Sequence, residues 1–308
     1  MCPKCKTVFM MTGAQNVKKA FSTLACLDLN YKEIAEYAAS AGISAIEVRL
    51  HRGNRLFDLS LEDVPEALAY LNEKNITITN LGTNVDICDY VPDTIASAKD
   101  TVDLATLTKA KGIRVFIGSF RKRFSEENVH NYEGIVKSLK EICEYAKQRN
   151  VEIWVETHSA FSTGKVLKGL LDDVVYDNLK VIWDIMHSYE YGETLQETLD
   201  YLGDRIVHIH IKDGVKKEDP DLIIYRYTKL GEGNLPIREM VSLMQNAGYQ
   251  GYYSLEWENA WREEIKHPFG SLSEILEHFN LYMDSLIFEE NEITLVRRHK
   301  CILNNVLR

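Results

Sequence analysis

The chain contains 308 residues, of which 45% are hydrophobic and 27% charged, values typical of a globular protein. Its 46 acidic residues outnumber its 36 lysines and arginines, so the formal net charge is −10. Such a chain repels polyanions unless it carries a concentrated basic patch, and no long basic stripe occurs. The apolar runs are far shorter than the roughly 20 residues of a membrane span. Neither a nucleic-acid nor a membrane partner is expected.

The cysteines and the N-terminus indicate a reducing compartment. The first residues include no apolar stretch that resembles a signal peptide, so a cytoplasmic location is expected. Six cysteines are too few for a disulfide scaffold in a chain of this length. Cys2 and Cys5 form one CxxC pair without the second pair that a zinc site needs. The pair therefore favours an unstructured terminus over a metal or redox role.

Apolar, β-branched runs alternate with amphipathic segments along the chain, a pattern typical of parallel strands joined by helices. Eight runs predict strands, near Phe21–Leu27, Ser44–Leu50, Ile76–Leu81, Ile113–Gly118, Val151–Thr157, Leu179–Ile185, Arg205–Lys212 and Gly251–Trp257. The segments that follow them predict helices over Tyr31–Ala41, Leu61–Glu73, Asp93–Ala110, Ser125–Gln148, Lys165–Asp173, Thr194–Leu202, Pro236–Ala247 and Ser271–Ser285. The pattern predicts a single-domain α/β protein, a (β/α)₈ TIM barrel over residues 21–286, with an N-terminal extension (1–20) and a C-terminal tail (287–308).

Local signals support several of these helices. Asn30 is expected to cap the first helix and Ser125 the fourth, each with acidic residues in the following turn. Gly42 and Gly248 follow the first and seventh helices, as left-handed C-terminal caps do. Neither GxGxxG nor GxSxG occurs, so a nucleotide cofactor and a serine-hydrolase mechanism lack their usual sequence support.

The chemistry of such a barrel is expected at the carboxyl ends of its strands. Because residues two apart share a face of a strand, His208, His210 and Lys212 point one way on the seventh strand while the isoleucines between them point the other. The polar face must be the barrel interior. The same parity places Glu156 inside on the fifth strand and Glu256 inside on the eighth.

Four metal-ligand residues thus converge from four successive strands: Glu156, Asp184, His210 and Glu256. Three carboxylates with one imidazole suit Mn²⁺, Mg²⁺ or Co²⁺, whereas Zn²⁺ prefers more nitrogen or sulfur. Crowded carboxylates repel one another unless a cation neutralises them. We therefore expect one divalent metal ion, with Mn²⁺ favoured and Mg²⁺, Co²⁺ or Zn²⁺ as alternatives. Any one of these residues alone would instead fit a helix cap or a solvated acid.

Short motifs in this order resemble the xylose-isomerase-like TIM barrel superfamily, and within it the sugar phosphate isomerase/epimerase family. The resemblance covers residues from about Phe21 to Leu286. The motifs that carry it are Leu24–Cys26 (LAC), Gly42–Arg49 (GISAIEVR), Val155–His158 (VETH), Trp183–His187 (WDIMH), Val207–Asp213 (VHIHIKD), Leu230–Gly233 (LGEG) and Ser254–Glu256 (SLE).

The resemblance implies a catalytic divalent metal held by Glu156, Asp184, His210 and Glu256. In the ketose 3-epimerases of the family, the two glutamates are also the acid and base on opposite faces of the substrate. Carried onto this chain, Glu156 and Glu256 would deprotonate and reprotonate a carbon next to a carbonyl. His187 would hold a substrate oxygen. The implied substrate is a small sugar or sugar phosphate, and the resemblance allows a homodimer or homotetramer.

Four further residues are candidates for substrate binding. Lys212 either contacts an anionic or hydroxyl-rich substrate or pairs with a nearby carboxylate. His158 and Glu47 face the interior by parity, although Glu47 equally fits a buried structural acid. Arg226 lies in the long loop after the seventh strand, where it either holds a substrate hydroxyl or phosphate or is solvated. Among aromatic residues, Trp261 and Tyr225 are candidates for stacking on a sugar.

Three other functions compete. A zinc-dependent abasic-site endonuclease of the same superfamily needs extra histidines on strands two to four, but no histidine lies between His51 and His130. An inosose-dehydratase type of reaction starts with the same proton removal and then loses water, so the sequence separates it poorly from isomerisation. A non-catalytic sugar-binding barrel predicts a broken ligand set, whereas all four positions are filled here.

Overall fold

A closed barrel of eight parallel strands forms the centre of the molecule. The computed structural model describes residues 17–51, 55–118, 130–218, 225–259, 262, 265 and 270–286, together with the backbone of 119–120 and 128–129. The strands are β1 (Lys18–Ser22), β2 (Ala45–Arg49), β3 (Thr77–Ile87), β4 (Gly112–Ile117), β5 (Glu152–Glu156), β6 (Leu179–Asp184), β7 (Ile206–Ile211) and β8 (Tyr252–Leu255). Each strand pairs in parallel with its neighbours in sequence, and β1 closes the barrel against β8. The predicted (β/α)₈ TIM barrel is therefore confirmed.

Helices surround the strands. They are α1 (Tyr31–Ser40), α2 (Val64–Glu73), α3 (Pro92–Thr108), α4 (Tyr132–Lys147), α5 (Gly164–Val174), α6 (Ile185–Glu190), α7 (Leu195–Leu202), α8 (Ile237–Asn246) and α9 (residues 272–286). Outward-facing strand residues such as Ile209 and Ile211 are fully buried beneath them. Among the described residues, every helix is too short or too polar to cross a lipid bilayer.

Three residues at helix ends follow the predictions. Asn30 accepts hydrogen bonds from the backbone N–H groups of Lys32 and Glu33, and Glu33 bonds back to the backbone N–H of Asn30, which completes a capping box. Gly42 and Gly248 have φ angles of 69° and 80° just after α1 and α8. In this left-handed region a side chain would be strained, so glycine suits both positions.

The predicted bounds of the first strand and the predicted start of the fourth helix were wrong. The first strand begins at Lys18, and the predicted continuation beyond Ser22 is a short 3₁₀ turn, because the Ser22 hydroxyl accepts a hydrogen bond from the N–H of Leu24. Helix α4 begins at Tyr132 with Asn131 as its N-cap. The predicted cap, Ser125, lies outside the described residues. The short helix α6 was not predicted. The predicted domain limits stay predictions.

A two-stranded antiparallel hairpin follows β7. Its strands are Asp213–Lys216 and Tyr225–Thr228. The Asp213 carboxylate accepts four backbone N–H groups at 2.8 to 3.2 Å, from Gly214, Gly231, Gly233 and Leu235. One side chain thus fastens the returning loop to the carboxyl end of β7, beside the candidate site.

Candidate metal and substrate site

Four predicted ligands meet at the carboxyl end of the barrel. Each of Glu156, Asp184, His210 and Glu256 offers one ligand atom, and these atoms all lie within 4.8 Å of one another. None of the four residues is more than 5% exposed. The strand parity inferred from the sequence therefore holds at this level of the barrel.

The ends of the strands set the positions of these ligands. Glu156 and Asp184 are the last residues of β5 and β6, and Asp184 lies opposite His210 in the β6–β7 register. Asp184 is also the N-cap of α6, because its Oδ1 accepts the N–H groups of Met186 and His187 at 2.9 and 3.3 Å. Its second oxygen, Oδ2, is the atom that Asp184 offers to the cluster of four candidate ligands.

The imidazole of His210 is held in a defined orientation. Its Nε2 lies 2.8 Å from Oε2 of Glu47, a buried acid in the middle of β2. Its Nδ1 is buried and has no hydrogen-bond partner among the described residues. That nitrogen lies 3.5 to 3.9 Å from carboxylate oxygens of the other three ligands, Glu156, Asp184 and Glu256. In the neutral imidazole that binds a metal, a proton on Nε2 would leave the Nδ1 lone pair directed at the cluster.

Two buried cations also contact these carboxylates. Arg114, in the middle of β4, lies 2.6 Å from Oε2 of Glu156 through its Nη1. The ammonium group of Lys212 lies 2.6 to 3.0 Å from three carboxylates, Glu256, Asp184 and Glu258. Both cations are 2% exposed. Lys212 therefore pairs with nearby carboxylates, which is one of the two alternatives that the sequence left open. It also lines the pocket described below.

These charges shift the pKa values of the ligands in different directions. Burial raises the pKa of Glu156, but Arg114 and His210 outweigh it and hold that pKa well below its usual range. Burial, with Glu256 and Glu156 close by, raises the pKa of Asp184 to about 7 against the opposing effect of Lys212. Burial opposes the charged form of His210, yet Glu47 and Glu256 raise its pKa well above normal. The centre of the cluster thus favours positive charge.

The residues present fit a divalent metal ion. The donor set of three carboxylates and one imidazole is the type that binds Mn²⁺, Mg²⁺ or Co²⁺. The partnerless Nδ1 of His210 points at the carboxylate oxygens, as a metal ligand would. Glu47 then supplies the outer contact that orients a ligating histidine. The donor set does not identify which metal binds.

A pocket with a volume of about 110 Å³ opens above the cluster. Its described lining includes Glu156 and Glu256, the predicted substrate-binding residues His158, His187 and Lys212, and two arginines, Arg49 and Arg114. The rings of His158 and His187 meet edge to face, with centroids 4.7 Å apart. Burial lowers the pKa of His158, so its imidazole is neutral near pH 7.

The other candidates lie elsewhere. Glu47 lies in the barrel interior below the pocket, between His208 and His210. Arg226 is exposed on the hairpin and is not among the described residues that line the pocket. Tyr225 is buried in the same hairpin. Trp261 is outside the described residues.

The two pocket arginines were not identified from the sequence. Arg114 interrupts the apolar run of a predicted strand, Ile113-Arg114-Val115, and a charge inside such a run is a signal of an interior polar group. Arg49 likewise stands between two apolar residues, Val48 and Leu50, near the end of the second predicted strand. Parity alone would have placed Arg114 in the barrel interior with Trp154, its partner in the β4–β5 register.

Two known proteins are similar to this chain in sequence. A 3-dehydroshikimate dehydratase from Bacillus anthracis is 27% identical over 191 residues, which are 60% of this chain and 67% of that protein. A fructoselysine 3-epimerase from Escherichia coli O157:H7 is 28% identical over 129 residues, 40% of this chain and 44% of that protein. The matches extend over about half to two thirds of these relatives.

Among solved structures, the IolI protein with a bound zinc atom superposes with a TM-score of 0.72 at 17% identity, covering 89% of this chain and 99% of that one. At this identity the similarity shows the fold alone. The family model of the xylose isomerase-like TIM barrel matches residues 35–278. That match spans most of the barrel and, with it, all four candidate ligands. The chain therefore belongs to the xylose isomerase-like TIM barrel family.

Proposed function

We propose that this protein is a divalent-metal-dependent isomerase or epimerase of a small sugar or sugar phosphate. It acts by removing a proton from the carbon next to the substrate carbonyl. The observation that carries the proposal is the His210 imidazole, whose partnerless Nδ1 faces the Glu156, Asp184 and Glu256 carboxylates at the floor of a pocket. Membership of a family with epimerase and isomerase relatives supports the same reaction class.

In this mechanism Glu156, Asp184, His210 and Glu256 would hold the metal. When bound, the ion supplies a Lewis acid that polarises the substrate carbonyl and makes the neighbouring proton acidic. Glu156 and Glu256 come from well-separated strands, β5 and β8, and reach the pocket from different sides. One removes the proton and the other returns one. His187, 9% exposed at the pocket wall, donates a hydrogen bond to a substrate oxygen.

Loss of water after the same proton removal is the second candidate reaction. Glu156 contacts the buried Arg114 at 2.6 Å, and this cation together with His210 holds the pKa of Glu156 well below its usual range, which makes its carboxylate a weaker base. His158 lines the same pocket, and burial lowers its pKa, so a neutral imidazole is available to take the proton. The similarity to a 3-dehydroshikimate dehydratase favours this alternative as well.

Substitution of the candidate bases tests both reactions. Metal analysis of the purified protein comes first, followed by Glu156→Gln, Glu256→Gln and His158→Gln variants assayed with Mn²⁺. Loss of a general base lowers turnover by about 10²-fold to 10⁴-fold. Glu66→Gln, at an exposed position on α2, is the matched control and keeps full activity. A protein that binds no divalent metal would overturn the proposal.

Heavy water separates the two reactions. The substrate panel is ketoses, their phosphates and inososes. An isomerase or epimerase incorporates deuterium at the carbon next to the carbonyl, whereas a dehydratase forms an enone with a new ultraviolet absorbance. Deuterium incorporation that depends on the glutamates supports the first candidate. Enone formation that depends on His158 supports the second and overturns the first.

A further inference from the structure

Arg49, the last residue of β2, differs from the other cations of the pocket. Among the described lining residues the cations are Arg49, Arg114 and Lys212. Arg114 contacts Glu156, and Lys212 contacts three carboxylates. Arg49 has no carboxylate partner within the described part of the chain, although it is only 7% exposed. A buried guanidinium without a counter-ion is unfavourable unless another anion approaches it.

Neutral oxygens hold the Arg49 side chain in place. Its Nη1 donates to the backbone carbonyl of Gly82 at 3.0 Å and to that of Leu50 at 3.4 Å, and its Nη2 donates to the side-chain amide oxygen of Asn84. These acceptors orient the planar group but carry no net charge. Burial and the nearby charge of Arg114 lower the pKa of Arg49 to about 10, against the opposing effect of Glu47, Glu256 and Glu156.

The aliphatic stem of Arg49 lies close to the β3 backbone at Gly82. A Cβ atom at Gly82 would lie 3.1 Å from Oε1 of Glu47 and 3.6 Å from Cδ of Arg49. The arginine stem therefore packs against the β3 backbone. Arg49 lines the pocket and its guanidinium is already held by three neutral acceptors, so the side chain is preorganised to bind a ligand.

We propose that Arg49 binds an anionic group of the substrate, a carboxylate or a phosphate monoester, while the reacting carbonyl lies at the metal ligands. The proposal rests on the proposed function, because it assigns the substrate class of the same pocket. A guanidinium presents several N–H donors in one plane, which matches both kinds of oxyanion. The pocket is small and holds Arg49 together with Glu156 and Glu256, so a short polyhydroxy acid or a sugar phosphate would contact both regions.

Direct binding tests this assignment without turnover. Calorimetric titration of the Mn²⁺-loaded protein uses three probes of similar size: neutral D-glucitol, the carboxylate D-gluconate and the phosphate monoester D-glucitol 6-phosphate. We expect at least one anionic probe to bind about 10-fold to 100-fold more tightly than glucitol, which is the range for a charge-assisted hydrogen bond. The anionic probe that gains more identifies the group as carboxylate or phosphate.

Three variants locate the effect. Arg49→Gln removes the charge and abolishes the preference for the anionic probe, while glucitol binds as before. Arg49→Lys keeps the charge but not the planar donors and retains part of the preference. Arg205→Gln is the matched control, because Arg205 also donates to two backbone carbonyls, of Tyr176 and Leu179, but lies just before β7, at the opposite end of the strands. It leaves the preference unchanged.

Two outcomes would overturn the assignment. One is equal affinity of the wild-type protein for all three probes, a result that does not depend on how any variant folds. The other is a preference that survives in a folded Arg49→Gln protein. Failure of the proposed function looks different, since anionic probes would still bind through Arg49 although no compound in the panel is converted. Conversion of neutral ketoses without any anion preference leaves the function standing and removes the Arg49 assignment.

Discussion

At the scale of single residues, buried ion pairs organise the site. Arg114 and Lys212 each keep one carboxylate oxygen of a candidate base in place, Glu156 and Glu256 respectively. A buried cation paired in this way lowers the repulsion among the carboxylates but leaves the centre electrically suited to a cation. Glu47 completes the arrangement from below by accepting from the imidazole of His210.

Substitution of Glu47 by glutamine is expected to weaken metal binding. The amide keeps the size of the side chain, but it removes the negative charge that orients and polarises the His210 ring. Loss of such an outer contact lowers metal affinity by about 10-fold to 100-fold. Calorimetric titration of the metal-free protein with Mn²⁺ measures the change. Unchanged Mn²⁺ affinity in Glu47→Gln, with an unchanged melting temperature of the metal-free protein, would contradict this role.

At the scale of secondary-structure elements, side chains at strand and helix ends decide where the chain turns. Asp184 ends β6 and begins α6, so one residue serves both as a helix cap and as a candidate ligand. Asp213 fastens the loop after the hairpin through four backbone N–H groups. The residues of the site therefore lie at the ends of strands and helices, where side chains accept hydrogen bonds from the backbone N–H groups.

The capping box of α1 contributes measurable stability. Asn30→Ala removes the acceptor for the N–H groups of Lys32 and Glu33. We expect the free energy of unfolding in urea to fall by about 1 kcal/mol. Asn72→Ala is the matched control, because Asn72 is exposed within α2 and alanine favours helix there. Equal stability of the Asn30→Ala variant and the wild type would show that the cap is not needed.

The loop fastened by Asp213 tolerates no side chain at Gly233. A Cβ atom there would lie 2.0 Å from Oδ1 of Asp213 and 2.5 Å from the backbone nitrogen of Gly214. Gly233→Ala is therefore expected to lower the free energy of unfolding by about 1 to 3 kcal/mol, as overpacking does.

Gly169→Ala is the control for that substitution. Gly169 lies within α5, and apart from the backbone of that helix no atom of the described residues lies within 4 Å of the position of an added Cβ, so alanine there raises stability by about 0.5 to 1 kcal/mol. Both variants are measured by urea denaturation. A Gly233→Ala protein as stable as Gly169→Ala would show that the loop shifts without cost.

At the scale of the whole molecule, the acidic net charge has a particular location. Part of the formal −10 lies in the buried carboxylates at the barrel mouth. The four candidate ligands come from the ends of strands β5 to β8, so a bound metal would link half of the barrel strands at one point. A ligand that binds only the folded state stabilises it in proportion to its affinity and concentration.

Divalent metal is accordingly expected to raise the melting temperature. At a Mn²⁺ concentration about 100 times Kd, the free energy of unfolding rises by about 2.7 kcal/mol. Differential scanning fluorimetry with Mn²⁺ and with EDTA measures the shift. Glu256→Gln, which removes one ligand, is expected to lose most of it, whereas Glu66→Gln keeps it. An identical melting temperature with Mn²⁺ and with EDTA would contradict a metal site.

The fold and the convergence of the ligands were predictable from the sequence. Strand parity places Glu156, His210 and Glu256 in the interior because successive side chains of a strand alternate between faces. Strand ends place them at one mouth because all eight strands run in parallel. Asn30, Gly42 and Gly248 were predictable from local backbone chemistry, which depends only on neighbouring residues.

Contacts between distant parts of the chain were not predictable. The pairs Arg114–Glu156 and Glu47–His210 join residues 42 and 163 positions apart, and such a pair depends on barrel register and on side-chain rotamers. The same is true of Arg49, whose lack of a described carboxylate partner emerges only when its neighbours are in place. The sequence by itself determined the barrel and the convergence of the four candidate ligands, since both follow from periodicity. Only the tertiary structure decided which charges are paired, because pairing depends on distances across the barrel interior.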